Sequence, residues 1–290
     1  MLPATYKIFS KALLNRLEPQ IDPQIGEYQA GFRKNRSCSE QIWNLRTILS
    51  IRRCRNTTVT FVDFKKAYDS IDRDTLFQTL EEMKVDLKTL NLIRETLTNT
   101  ISKVKFMGEL SEPFDVKTGV RQGDGLSPIL FNVVLEKVIR TWEKDVTGIQ
   151  LGRKKENITH VKCLAFADDI AILSNTRMEA QRALEKLHEI AIKTGLQISY
   201  QKTQFFDTKS LDKSPLKTKY GTIAQVNEFK YLGEIMQKSG LNTKANEERI
   251  SKLQKAYKLT WSHYNKKCIS TDAKIRHYNT VVLPEALYAS

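Results

Sequence analysis

Several features that would anchor other functions are scarce or missing. The chain has only four cysteines, Cys38, Cys54, Cys163 and Cys268, and no two form a Cys-x-x-Cys pair. That usage argues against structural zinc and for a reducing compartment. No apolar run approaches the ~20 residues a membrane helix needs. The first residues carry no apolar signal-peptide core, so neither secretion nor a membrane partner is expected. There is no internal repeat or low-complexity segment. A His-Glu-x-x-His helix, a His-x-Glu…Cys-x-x-Cys set and an acidic set of RNase H type are all absent. Acidic residues are also in deficit. Thirty-three Asp and Glu face 47 Lys and Arg, leaving a net charge of +14. Such an excess favours polyanions through phosphate contacts that release counterions; the plain alternative is a basic soluble protein with no such partner. At 290 residues and 40% hydrophobic content, the chain can bury the core of one or two domains.

The most informative segment is Cys163-Leu164-Ala165-Phe166-Ala167-Asp168-Asp169-Ile170-Ala171-Ile172-Leu173. Two adjacent carboxylates between short apolar strands are costly to bury unless a cation faces them. A divalent metal with oxygen ligands is the usual solution. Taken alone, Asp-Asp reads equally well as a turn. A second strand, Thr57-Thr58-Val59-Thr60-Phe61-Val62, runs into Asp63. Period-2 alternation puts Val59, Phe61 and Asp63 on one face and Thr60, Val62 and Phe64 on the other. If this strand lies beside the Asp168 hairpin, three carboxylates converge. Two metal ions held by such a set would clamp an in-line phosphoryl transfer.

Helical spacing of Ile8, Phe9, Ala12, Leu13 and Leu17 predicts a helix over 4–18, ended by Pro19. Residues 27–36 read as a basic loop. Ser37 and Glu40 form a capping box for a helix with Ile42, Leu45 and Ile48 inward. Asp72 and Asp86 are candidate caps for the next two helices. Val104–Met107 and Phe114–Val116 read as a hairpin turning at Gly108. Gly119-Val120-Arg121-Gln122-Gly123-Asp124-Gly125 precedes Ser127 and Pro128, which predict a helix start at N-cap and N1. Those glycines fit a phosphate cradle or a strained turn equally. A helix over 178–193 follows, with Gly195 as its C-cap. A strand is expected over 196–200, leading to Lys202, and a strand pair over 229–236. From Lys244 to Lys267 the net charge is +5. Ile250, Leu253, Tyr257 and Tyr264 mark one helical face there. Lys252, Lys255 and Lys258 suit a nucleic-acid backbone or a solvated face. A last helix over 272–283 should stop at Pro284, with no clear element after it.

In order, these segments resemble the reverse transcriptase domain of non-LTR (LINE-type) retrotransposons, over nearly the whole chain. FVDFKKAYDSI is similar to the family's motif A, GVRQGDGLSPILFN to motif B and FADDIAIL to motif C. GLQISYQKT is similar to motif D, YLG to motif E, and YQAGFRKNRSCSEQI to the fingers segment before motif A. Each block alone is modest; six in order are specific.

The resemblance implies an α+β, right-hand polymerase. Fingers would span 1–56, truncated at the N-terminus. A palm at 57–240, an antiparallel sheet with helices on one face, would contain inserted fingers elements. A partial helical thumb would span 241–290. The implied activity is RNA-directed DNA synthesis as in target-primed retrotransposition, from a DNA primer on an RNA template with dNTPs. Two Mg²⁺ ions, or Mn²⁺ in their place, would be the cofactor. Asp63 and Asp168, with Asp169 beside them, would be metal ligands and catalytic groups. Lys202 would protonate the leaving pyrophosphate. Arg33, Lys34 and Arg36 would bind the triphosphate. Tyr68, with Phe64 nearby, would sit under the sugar and exclude a 2′-hydroxyl, and Gln122 and Gly123 would face the nascent base pair. Tyr231, Leu232 and Gly233 would position the primer, or else dock the thumb.

The chain departs from the family at Gly125, where proline is commoner. It is expected to lack the family's upstream fingers segment, endonuclease, cysteine/histidine knuckle and remaining thumb. A catalytically inactive nucleic-acid-binding remnant is therefore the rival reading. Residence in nucleus and cytoplasm is expected from priming on chromosomal DNA, because Arg153-Lys154-Lys155 is too short for a localisation signal. Nothing in the sequence speaks to oligomeric state.

Overall fold

The computed structural model describes residues 2–152 and 158–288; Arg153-Lys154-Lys155 lies outside them. Helix α1 (Ala4–Ile21) buries Ser10, Leu13, Leu17 and Ile21, while Ile8 and Phe9 stay exposed, contrary to expectation. Pro19 does not end it. The missing N–H forfeits one bond, but fully buried Leu17 and Ile21 hold the last turn. Helix α2 (Cys38–Ile51) begins as expected, with the Glu40 N–H donating to Ser37 Oγ at 3.1 Å. Strand β1 (Thr58–Val62) and the short helix α3 (Ala67–Ser70) follow. Asp72 and Asp86 cap α4 (Arg73–Glu82) and α5 (Leu87–Leu97), accepting from the N–H groups of Thr75 and Thr89.

The expected hairpin at 104–116 is two nested ladders. Strand β2 (Ile101–Ser102) pairs with β5 (Phe114–Asp115), and inside it β3 (Lys105–Phe106) pairs with β4 (Glu109–Leu110) around Met107-Gly108. Helix α6 (Ser127–Trp142) starts one residue earlier than expected. Ser127 is therefore not the cap; its hydroxyl donates to the Arg121 carbonyl at 2.6 Å. Strands β6 (Ile149–Leu151) and β7 (Thr159–Val161) form a separate pair. Then come β8 (Cys163–Phe166), β9 (Asp169–Ser174) and α7 (Arg177–Ala191). A 3₁₀ turn ends in Gly195 at φ +85°.

The strand expected at 196–200 does not form. Only Ile198 bridges to Phe64, and the strand itself is β10 (Gln204–Asp207), beyond Lys202. Strands β11 (Leu216–Thr218), β12 (Gly221–Gln225), β13 (Glu228–Tyr231) and β14 (Glu234–Gln237) lead to α8 (Thr243–Tyr264). On α8, Ile250 and Tyr257 are exposed, so the expected face is only partly used. Helix α9 (Thr271–His277) passes through a π turn into α10 (Leu283–Leu287). Pro284 sits in the first turn of α10 rather than stopping a helix, because a first-turn N–H needs no partner there.

The main sheet has the order β11-β12-β10-β1-β9-β8. It is antiparallel apart from the parallel β10–β12 pair. Val62, Phe64, Ile170 and Ile172 face α4, α6 and α7 in the larger core. Val59, Phe61, Ala171 and Leu173 face a second core made with α2 and the β13–β14 hairpin. Both sheet faces are thus covered, where helices on one face alone were expected. The alternation read from β1 is borne out, since its two apolar sets enter different cores.

Candidate active site

Three local structures meet at one end of the central strands. In β1, Val62 is registered with Ile170 of β9, and Phe61 with Gln204 of β10. One step further along β9 sets Asp63 opposite Asp169, and two steps past the last β10 pair bring it level with Lys202. Lys202 Nζ lies 3.9 Å from Asp63 Oδ1. The backbone agrees: the Ser199 N–H donates to the Asp63 carbonyl at 2.8 Å, and the Asp63 N–H to Thr203 Oγ1 at 3.2 Å. Phe166 pairs with Asp169, so Ala167 and Asp168 form a two-residue turn, with Ala167 at φ +55°.

This proximity has an electrostatic consequence. Burial raises the Asp168 carboxyl above its ordinary pKa, and Asp63 adds to the rise. Asp169 is pushed up to about 6, by burial first and then by Asp168 and Asp63. Clustered carboxylates that disfavour each other's charge are the arrangement a cation relieves. Asp63 Oδ1 is buried without a hydrogen-bond partner. The donor set is oxygen only, which suits a hard cation. Among the described residues, no three His, Cys, Asp or Glu side chains form a ready metal cluster. That is compatible with Mg²⁺, which usually takes only one or two protein carboxylates and completes its shell with water and phosphate. The residues present therefore fit such an ion.

Tyr68 is half-buried and stacks on Phe131, with ring centroids 4.9 Å apart. Burial, then Asp168, raise its hydroxyl to about 12. The Val120 N–H donates to the Tyr68 carbonyl at 2.8 Å, which brings the 119–125 loop alongside. On that loop Gln122 and Gly123 are exposed, and a Cβ on Gly123 would meet nothing within 4 Å. Asp124 anchors the loop, accepting from the Tyr6 hydroxyl at 2.9 Å. Tyr231 is buried against Phe61, and its hydroxyl is raised by burial and then by Asp169. Leu232 and Gly233 form the β13–β14 turn at positive φ, and Tyr288 donates to the Leu232 carbonyl at 2.7 Å.

Three expected substrate contacts are placed otherwise. Phe64 is buried in the larger core, on the face opposite Asp63, with no surface to offer a nucleotide. Arg33 is a clip: its guanidinium pairs with Asp22 at 2.7 Å and donates to the carbonyls of Asp22, Gly26 and Gln29. Arg36 is paired with Glu27 and Glu40. Lys34 alone of the three is mostly exposed, 3.2 Å from Glu18.

Residues 28–31 also bind the Asp168 turn, a role the sequence reading did not assign. Gln29 bridges in parallel to Ala165, and Gln41 donates to the carbonyls of Tyr28 and Ala165. A Cβ on Gly31 would lie 2.1 Å from the Ala167 nitrogen, a backbone atom that cannot swing away. Gly31→Ala should therefore displace the Asp168 turn and cost about 1–3 kcal/mol by overpacking. Urea denaturation checks it, and an unchanged midpoint would refute the close approach.

Known proteins supply the comparison. Residues 1–236 match the family described as reverse transcriptase (RNA-dependent DNA polymerase). A Pol polyprotein of the type-2 retrotransposable element R2DM of Drosophila melanogaster is 27% identical over 76% of this chain. The RNA-directed DNA polymerase from mobile element jockey of Drosophila funebris is 24% identical over all of it. The chain spans 21% and 32% of those two relatives. Among solved structures, apo telomerase from Candida tropicalis superposes with a TM-score of 0.54 at 15% identity, over 81% of this chain and 38% of the other. That likeness speaks to fold alone. With the motif order, the palm-like sheet and the match over residues 1–236, the chain belongs to the reverse transcriptase family.

Proposed function

We propose that this chain is the polymerase core of a non-LTR retrotransposon enzyme, copying RNA into DNA by extending a primer 3′-hydroxyl with dNTPs. The observation that carries the reading is the register that sets Asp63 between Asp169 and Lys202 at the mouth of the sheet. Asp63 and Asp168, with Asp169 beside them, would hold the divalent ions, Mg²⁺ or Mn²⁺. When bound, the ions would acidify the primer hydroxyl and neutralise charge on the leaving pyrophosphate.

The chain's own groups do the rest. Lys202 is mostly exposed and close to Asp63, so its ammonium can reach phosphate oxygens and give up a proton as pyrophosphate leaves. Tyr68, held flat by Phe131, forms the floor under the sugar. Gln122 and Gly123 offer an open backbone edge to the nascent pair. The Tyr231-Leu232-Gly233 turn supports the primer end. Lys34 is the fingers cation free to meet the triphosphate once its exposed pair with Glu18 opens. Arg36 would have to exchange its carboxylates first, and Arg33 stays structural.

On this reading fingers fall within 1–56, palm within 57–240 and thumb within 241–290. RNA template, DNA primer and dNTPs are the partners, and the product is made in the nucleus from a chain translated in the cytoplasm. No helix among the described residues is long and apolar enough to cross a membrane.

The experiment is primer extension on an RNA template with Mg²⁺, offering dNTPs or rNTPs. The reading expects dNTP extension that chelation stops. Salt-sensitive RNA binding with no extension would favour a non-catalytic binding remnant instead. Tyr68→Val should raise rNTP incorporation at least ~10-fold relative to dNTP, the scale of one steric contact. Unchanged sugar selectivity would remove Tyr68 from the gate.

A further inference from the structure

The buried amide of Gln29 reaches the backbone of the residue just before Asp168. Gln29 is 1% exposed. Its Oε1 accepts two backbone N–H groups, from Ala167 at 2.8 Å and from Gly31 at 2.8 Å. Its Nε2 donates to the Ala167 carbonyl at 3.2 Å. Two N–H donors meeting at one atom identify that atom as the oxygen, so the amide orientation follows from the network. One side chain thus holds both polar groups of Ala167, the turn residue at φ +55°. A left-handed conformation at a residue with a Cβ persists only where its surroundings impose it.

The clamp is itself anchored at both ends. The Ala30 N–H donates to the Ala165 carbonyl, and the Ala165 N–H to the Tyr28 carbonyl. Asn132 of α6 donates to the Gly31 carbonyl at 2.8 Å. The Asp168 carboxylate therefore leaves a turn whose preceding peptides are fixed by a segment more than a hundred residues upstream.

We propose that Gln29 is a positioning residue that holds the Ala167-Asp168 turn so that the Asp168 carboxylate faces Asp63. The proposal rests on the polymerase reading for its consequence in catalysis, and on the hydrogen bonds alone for the turn. Gln29 touches neither substrate nor metal. It acts by removing the freedom of the peptide that carries a ligand, which is how a supporting shell sharpens a site.

The test compares wild type with Gln29→Met, which keeps side-chain length without the amide. Gln41→Leu is the control, since Gln41 joins the same segment to Ala165 without touching Ala167. Three readings are taken: amide exchange at Ala167, Mn²⁺ binding without substrate, and RNA-templated extension against Mg²⁺ concentration. For Gln29→Met the expected result is rapid Ala167 exchange, Mn²⁺ binding weakened at least fivefold, and kcat lowered at least tenfold. Its dNTP KM and RNA affinity should stay within twofold. Gln41→Leu should keep Mn²⁺ binding and kcat within threefold at a comparable loss of Tm. Equal losses in both variants would overturn the proposal, because the role would then be structural. So would Mn²⁺ binding and kcat within twofold of wild type in Gln29→Met.

If Gln29→Met does not fold, Gln29→Glu is read on the same scale. It keeps the two accepted bonds and loses the donation to the Ala167 carbonyl. A partial loss of Mn²⁺ affinity supports the clamp, and wild-type values overturn it. A wild type that binds Mn²⁺, loses that binding on Gln29→Met and yet extends nothing would count against the polymerase reading and leave the clamp standing.

Discussion

Asp63→Asn and Asp168→Asn should each lower RNA-templated extension by at least about a thousandfold, about 4 kcal/mol of transition-state stabilisation. Each removes a charge from the set: Asp63 adds to the rise of the Asp168 pKa, and both add to that of Asp169. Asparagine keeps the shape, so packing around β1 and the hairpin turn should survive. Both variants should bind an RNA–DNA duplex as wild type does, because Lys and Arg elsewhere supply that affinity. Asp169→Asn should fall less, since Asp169 is placed as a neighbour of the ligands. Single-turnover extension with saturating dNTP separates these cases. Equal activity for Asp168→Asn and wild type would remove Asp168 from the site, whatever the fate of the fold.

Glu234→Ala should lower stability by about 3 kcal/mol, the lower end for losing one partner of a buried ion pair. Glu234 is nearly solvent-free and sits between two guanidiniums, Arg46 Nη2 at 2.7 Å and Arg249 Nη2 at 2.8 Å. Those arginines come from α2 and α8, so one carboxylate ties the helix before β1 to the helix after the β13–β14 hairpin. Its removal leaves two cations side by side without the anion they share. The hairpin also carries Tyr231, whose ring packs on Phe61 two residues before Asp63. The loss should therefore be read in activity as well as in the urea midpoint. Glu234→Gln should fall almost as far, because shape without charge does not neutralise the pair. A change under about 1 kcal/mol in both would mean that the Glu234 pairs do not hold α8 in place.

The end of the sheet that carries Asp63 and Asp168 was legible because its signals are local. The alternation of Val59, Phe61 and Asp63 needs only strand geometry, and the apolar runs around Ala167-Asp168 need only a hairpin. Ser37, Asp72 and Asp86 were legible for the same reason, since a cap is satisfied within three residues. What was not legible depended on partners far along the chain. Nothing near Arg33 reveals that Asp22 and three carbonyls will take its guanidinium. The β10 strand hid because Phe205 and Phe206 are consecutive, each filling a different core, so no polar residue marks the alternation. Leu196–Tyr200 looked more like a strand yet makes one bridge, its backbone being spent on Asp63 and on the turn toward Lys202. The prolines misled in the same way: Pro19 and Pro284 sit where burial and helix position outweigh a missing N–H. Gln29 stood in view inside Tyr28-Gln29-Ala30-Gly31, but its role exists only once residue 167 is beside it.

The most direct measurement is primer extension on an RNA template with dNTPs and Mg²⁺, wild type and Asp168→Asn side by side. The account predicts template-copied DNA from wild type and none from Asp168→Asn, with both proteins binding the duplex equally. Extension by both at the same rate would contradict the site, and binding with no extension by either would contradict the polymerase itself.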